Sequence, residues 1–305
     1  MDFLQVSLGG VNFSLPKGRK LVVAGETGSG KTTLLKTIAG LAQPDKGNVL
    51  FEGQRVPGPA EKLIPGHRGI AYLSQQFELP QHLRIEQVLE YANELPEADA
   101  MTLFRVCRID HLMKRKTHQL SGGERQRIAL AKLLIGAPRL LLLDEPYSNL
   151  DMIHKELLKS VIREIGQKLD ITCMLVSHDP LDALSWADEI LVIREGRSVQ
   201  QGTPQQIYRQ PVNEYVAGLF GKYNLLEAGN GKRLFVRPEQ FKVGKKAFPA
   251  AMKGKVLYVS FWGGFYEVEV LSESGGRLIT QTADGGLAAG DAVFLLPPWD
   301  DVWYL

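Results

Sequence analysis

The strongest constraint on this chain is the loop Gly25-Glu26-Thr27-Gly28-Ser29-Gly30-Lys31-Thr32, which directly follows the apolar run Leu21-Val22-Val23-Ala24. It fits the phosphate-loop pattern G-x-x-x-x-G-K-[ST]. Phosphates need many donors at close range, and side chains would block that approach. Glycines let the backbone curl so that successive N–H groups face one concavity, with the positive end of the next helix behind them. Lys31 then offers a point charge to the β- and γ-phosphates, Thr32 a hydroxyl ligand for Mg²⁺, and Thr33 a hydrogen bond to the α-phosphate. A chance glycine-rich turn of this pattern has odds on the order of 1% in such a chain.

Strand, loop and helix in this order open a parallel α/β unit. The helical pattern runs over 31–41, with Leu34, Leu35, Ile38 and Leu41 at helical spacings. Leu140–Leu143 and Cys173–Val176 have the same buried-strand look, each preceded by a helical pattern, at 123–135 and 153–168. Each ends in polar residues, where open α/β sheets place ligands. Between them, 78–118 reads as a helical insertion, with Leu89, Leu103 and Val106 among charged neighbours. After about residue 224, Lys255–Val259 and Tyr266–Leu271 alternate in the strand period, with glycine pairs at 263–264, 275–276 and 285–286. A small β domain, a five-stranded barrel, is expected there. The 305 residues suit about two domains at roughly 150 residues each. The expected division is 1–223, with a helical subdomain over about 78–135, and 224–305.

Charge and composition narrow the function. With 36 basic and 34 acidic residues the net charge is +2, which leaves no large positive field for nucleic acid. Cys107 and Cys173 have no C-x-x-C spacing, and so scarce a usage suits a reducing cytosol. The most apolar region, Ile128–Leu143, is broken by Lys132, Gly136, Pro138 and Arg139, so it does not span a bilayer. The start Met1-Asp2-Phe3-Leu4-Gln5 lacks the basic and apolar blocks of a secretory signal. An intracellular protein whose membrane role is peripheral is expected.

Leu140-Leu-Leu-Leu-Asp144-Glu145-Pro146 is the second strong signal. Alone, it is a buried strand reaching the surface. After a phosphate loop, Asp144 becomes a hard oxygen ligand for Mg²⁺, directly or through water. Glu145, one residue further, can point elsewhere and polarise an attacking water.

Leu120-Ser121-Gly122-Gly123-Glu124-Arg125-Gln126-Arg127 is a third helix-start element, with a serine hydroxyl and glycine amides able to take a phosphate. It resembles the signature motif of the ATP-binding cassette (ABC) ATPases. That resemblance implies a two-fold homodimer, in which Ser121, Gly122 and Gly123 of one subunit meet the γ-phosphate of ATP held by the other. It also implies that Gln75, with Gln76 as the adjacent alternative, senses Mg²⁺ and water. Ser148-Asn149-Leu150-Asp151 resembles the loop that crosses the dimer interface, and His178 the switch histidine that follows a core strand. The family's adenine-stacking aromatic has no Tyr or Trp counterpart before Val11-Asn12-Phe13; Phe3 is a weak substitute and Phe13 is expected to face the core. Asp182 replaces the commoner glutamate after the switch histidine. Asn224-Leu225-Leu226 and Val236-Arg237-Pro238-Glu239 resemble the OB-like accessory domain of importers for maltose, polyamines or ferric iron.

By this resemblance the chain is the ATP-hydrolysing subunit of an importer, peripheral on the cytoplasmic face of the inner membrane. Its partners would be integral-membrane permease subunits and, indirectly, a solute-binding protein, but no nucleic acid. An exporter ATPase and a non-transport ABC protein are the alternatives. The β tail argues against the first. Against the second stand the short interval from Lys31 to Ser121, the single cassette and the neutral charge balance.

Overall fold

Apolar runs too uniform for a half-exposed sheet dictate the centre of this molecule. The computed structural model describes residues 3–75, 79–148, 150–228, 231–247, 249–298 and 302–305, which fall into two compact units, 1–204 and 205–305. Strands of the first are β1 (Leu4–Leu8), β2 (Val11–Leu15), β3 (Lys20–Ala24), β4 (Asn48–Phe51), β5 (Gln54–Arg55), β6 (Ile70–Leu73), β7 (Leu140–Asp144), β8 (Thr172–Val176), β9 (Glu189–Arg194) and β10 (Arg197–Gly202). Its helices are α1 (Lys31–Ile38), α2 (Ile85–Glu90), α3 (Glu97–Val106), α4 (Gly122–Leu134), α5 (Met152–Lys168) and α6 (Pro180–Trp186).

The main sheet has the order β10-β9-β3-β8-β7-β6. Strands β9, β3, β8, β7 and β6 are parallel, and β10 returns antiparallel along β9. Every residue of β7 and β8 is buried, as a parallel strand covered on both faces requires. A smaller antiparallel sheet, β2-β1-β4-β5, shares one core with the main sheet and α1, including Phe13, Leu35, Phe51, Leu142 and Met174.

The strands expected at 140–143 and 173–176 are β7 and β8, and α4 and α5 lie where helices are expected. Helix α1 ends sooner than the apolar spacing predicts. Gly40 sits at φ +73° and donates to the Thr37 carbonyl at 3.1 Å, while Leu41 donates to Lys36 at 2.8 Å. This paired reversal closes a helix and needs a residue tolerant of left-handed backbone. Leu41 therefore lies beyond the helix and is 39% exposed. The helical insertion comprises α2, α3 and α4 between β6 and β7, and Leu89, Leu103 and Val106 are buried in it.

The second unit begins with α7 (Pro204–Arg209) and α8 (Glu214–Leu219). Its strands are β11 (Asn224–Glu227), β12 (Arg233–Val236), β13 (Lys242–Gly244), β14 (Met252–Phe261), β15 (Tyr266–Ser272), β16 (Arg277–Thr282), β17 (Ala292–Leu296) and β18 (Trp303–Tyr304). They form a five-stranded antiparallel sheet, β13-β17-β14-β15-β16, and a three-stranded one, β11-β12-β18. The glycine pairs at 263–264 and 275–276 fall in the turns on either side of β15. The chain divides at Pro204, ahead of the change in sequence texture near 223, and within the second unit Arg237 accounts for the attachment of α7 and α8 to the β part. Its fully buried guanidinium donates to the carbonyls of Tyr208, Ala217, Gly221 and Lys222 at 2.9–3.1 Å, binding both helices to the β part. Among the described residues no helix is long and apolar enough to cross a membrane.

Candidate nucleotide-binding site

The parallel strands bring their carboxyl ends to one edge of the sheet. Behind β3 comes the phosphate loop, and Gly30 at φ +101° turns the chain into α1. Lys31 is 7% exposed and its ammonium donates to the carbonyls of Gly25 and Glu26, each at 2.7 Å. Burial pulls its pKa below the usual lysine value, and the charges of Glu145, Asp144 and Glu26 oppose that shift. The lysine is thus held against the loop by acceptors that a phosphate can replace. Glu26, Thr27, Gly28, Thr32 and Thr33 face solvent, whereas Ser29 is buried with its hydroxyl unpaired among the described residues.

Asp144 ends β7 at 3% exposure with both carboxylate oxygens engaged. The Thr32 hydroxyl donates to Oδ1 at 3.1 Å and the Tyr72 hydroxyl to Oδ2 at 2.9 Å. Burial, followed by the contact with Asp144, raises the Tyr72 pKa, so Tyr72 remains a neutral donor. Thr32 and Asp144 supply two hard oxygens, which suits Mg²⁺, an ion that usually takes one or two protein ligands and completes its shell with phosphate and water. No cluster of three or more His, Cys, Asp or Glu suited to a metal occurs among the described residues.

Glu145 breaks the strand at φ +49°, a conformation costing on the order of 1–2 kcal/mol for such a residue. The break turns its carboxylate away from Asp144 and into a cleft of about 330 Å³ bordered by Gln75, Ser177, His178, Asp179 and Asp182. There Gln75 donates to Oε2 of Glu145 at 3.4 Å, and His178 Nδ1 lies 3.3 Å from the same oxygen. A carboxylate steadied from two sides in an open cleft can orient and deprotonate a water.

A second group forms around the start of α4. Ser121 caps that helix, accepting from the Glu124 N–H at 3.2 Å while its own N–H donates to Glu124 at 2.8 Å. A side chain at Gly123 would come within 2.8 Å of the His154 ring. That ring is paired with Asp151 at 2.7 Å, and Asp151 caps α5. The expected nucleotide contacts Ser121, Gly122, Gly123 and Asp151 thus cluster with one another, and among the described residues Ser121 makes no hydrogen bond to the phosphate loop. Within one chain the cradle and the signature serine form separate clusters.

Residues 8–148 match the family model described as ABC transporter, and 234–305 that described as TOBE domain. The sulfate/thiosulfate import ATP-binding protein CysA of Synechocystis sp. is 34% identical over 285 residues, spanning 86% of this chain and 79% of that protein. The spermidine/putrescine import ATP-binding protein PotA of Clostridioides difficile is 31% identical, spanning 93% and 90%. The chain belongs to the ABC transporter family. The structure of cbiO1 from Clostridium perfringens, part of the ABC transporter complex cbiONQ, superposes with a TM-score of 0.60 at 25% identity, covering 68% of this chain and 90% of that one. As an ABC protein of this kind the chain binds ATP and is an ATPase.

Two departures from the ABC pattern gain a physical account. Phe3 and Phe13 are 6% and 8% exposed, and Phe3 packs edge-on against Phe51 at 5.0 Å, so both are core residues. Asp182, 1% exposed, accepts from the Ser177 hydroxyl at 3.2 Å and pairs with Lys155 and Lys159, each at 3.0 Å. It ties α5 to the loop that carries His178. Tyr72, Lys155 and Lys159 are the partners that sequence reasoning missed. Only the four-residue spacing of the lysines, which puts them on one helical face, could have drawn notice. Gln76 and Asn149 lie outside the described residues.

Proposed function

We propose that this chain is the ATP-hydrolysing subunit of an import system, working as a homodimer against separate permease subunits on the cytoplasmic face of the membrane. Support for import comes from relatives whose names describe sulfate/thiosulfate and spermidine/putrescine import ATP-binding proteins, and from the match to the TOBE domain. The observation that carries the catalytic reading is Glu145, held by Gln75 and His178 immediately beyond the buried Asp144.

In this reading, Gly25, Glu26, Thr27, Gly28, Ser29 and Gly30 cradle the phosphates, and Lys31 leaves its two carbonyls for the β- and γ-oxygens. Thr33 adds a hydrogen bond to the α-phosphate. Thr32, Asp144 and Gln75 would hold Mg²⁺, which when bound neutralises the charge of the phosphates. Glu145 orients water toward the γ-phosphate, and His178 steadies the carboxylate. Ser121, Gly122, Gly123 and Asp151 act on the nucleotide of the opposite copy. ATP thereby contacts both copies only when they are closed, so its binding shifts the pair toward closure and drives the permease. A solute-binding protein enters indirectly, through the permease, and nucleic acid is not a partner.

Lys31→Ala tests the cradle. Nucleotide affinity measured by fluorescent-ATP titration should fall more than tenfold, corresponding to a lost charge-assisted contact of about 1.5–3 kcal/mol. Unchanged affinity would remove the assignment.

A further inference from the structure

The order of strands gives the bound nucleotide a direction. Asp144, Glu145, Gln75 and His178 follow β7, β6 and β8, which all lie on one side of β3 and its phosphate loop. The γ-phosphate belongs on that side, where the metal ligands and the water-orienting carboxylate are. The nucleoside must then extend the other way, over the ends of β9 and β10 and the β1–β2 turn. This direction rests on the function proposed above.

Among the described residues, the turns at that end are short and glycine-rich. The β1–β2 turn is Gly9-Gly10, and Phe3 and Phe13 are buried in the core. The β9–β10 turn is Glu195-Gly196, whose Gly196 N–H donates to the Ser29 carbonyl of the phosphate loop at 3.0 Å. Arg197, the next residue, bridges Gly10 in register, and Ser198 donates to the Gly10 carbonyl at 2.9 Å. Its aliphatic stem lies across Gly10: a Cβ there would come within 2.5 Å of the Arg197 Cγ. Glu195, the nearest carboxylate in sequence, pairs instead with Arg194 at 3.7 Å. The side chain of Arg197 is exposed and makes no hydrogen bond or ion pair among the described residues.

We propose that Arg197 is the base-binding residue of this site, its planar guanidinium stacking on the purine of the bound nucleotide, a place that Phe3 and Phe13 cannot take because both are buried in the core. A guanidinium is flat, permanently charged and weakly hydrated, so it stacks on a π-face without giving up strong solvation. Pinning the stem on Gly10 removes part of the side-chain freedom that binding would otherwise cost. Anchoring the turn to Ser29 keeps the stacking group at a fixed distance from the phosphates.

The test separates base from phosphates. Binding of ATP and of inorganic tripolyphosphate, which has no base, is measured by calorimetry for the wild type, Arg197→Ala and Arg197→Trp. The Arg197→Ala variant should weaken ATP about tenfold and leave tripolyphosphate unchanged, and Arg197→Trp should restore ATP affinity, since base stacking on a side chain has about that value. Equal loss of both ligands in Arg197→Ala would mean a phosphate contact or a distorted loop, and would overturn the inference, as would unchanged ATP binding. A wild-type chain that bound neither ligand would instead defeat the nucleotide-site reading, and this inference with it.

Discussion

Asp182 shows how one side chain can carry the geometry of a loop. It is one methylene shorter than the glutamate expected at its place, and it reaches two lysines from α5 and the Ser177 hydroxyl beside His178. Removing one partner of a buried ionic cluster leaves the others desolvated and unpaired, at a cost of about 3–5 kcal/mol. Lys155 keeps a second partner in Asp179, which places the effect of Asp182→Ala near the lower bound. Urea denaturation should show a loss of about 3 kcal/mol, and a change below the experimental error would mean that the lysines relax into solvent. This cluster could not be read from the chain. Asp182 and Lys155 are distant in sequence, and only the packing of α5 and α6 brings them together. Gly25–Thr33 and Asp144-Glu145 were legible because each group is contiguous and needs only a strand before it.

At the level of elements, α4 depends on its first turn. Glu124 and Ser121 satisfy each other's N–H groups, and the backbone N–H of Ser121 is the main reason the Glu124 carboxyl sits below its usual pKa. A carboxyl with a depressed folded pKa contributes its stability above the unfolded value of about 4.3 and loses it as pH falls through the folded value. Glu124→Ala should therefore cost about 1 kcal/mol at neutral pH and almost nothing in strong acid, as read from urea midpoints across that range. A pH-independent difference would assign the effect to packing. Sequence patterns placed β3, β7, β8, α4 and α5 well because their apolar runs or periods are strong. Helix α1 was overextended because Leu41 kept the helical period beyond Gly40, where the backbone had already reversed. The link from Arg237 to α7 and α8 was invisible for another reason: its acceptors are backbone carbonyls, which any residue supplies.

For the whole molecule, the two site clusters raise the question of how they combine. The loop after β3 and the capped start of α4, both assigned to phosphate in the proposed function, form separate groups of contacts within one chain. The two-fold pair proposed above would resolve this by presenting each cradle with the other copy's Ser121. The consequence is testable by mixing defective copies. Lys31→Ala lacks a working cradle and Ser121→Arg a working cap, so each is expected to be inactive alone. Mixed together, they can assemble one intact composite site per heterodimer, and ATPase assays should recover a fraction of the wild-type rate. No recovery at any ratio would contradict independently firing shared sites.

The most direct test of the composite site is sedimentation velocity of Glu145→Gln with and without Mg-ATP, read together with its turnover. In the role proposed for Glu145, loss of its carboxylate should slow hydrolysis by about 10²–10⁴-fold and leave ATP trapped, so the chain should sediment as a monomer without nucleotide and as a dimer with it. A variant that hydrolysed ATP at the wild-type rate while remaining monomeric would contradict the account.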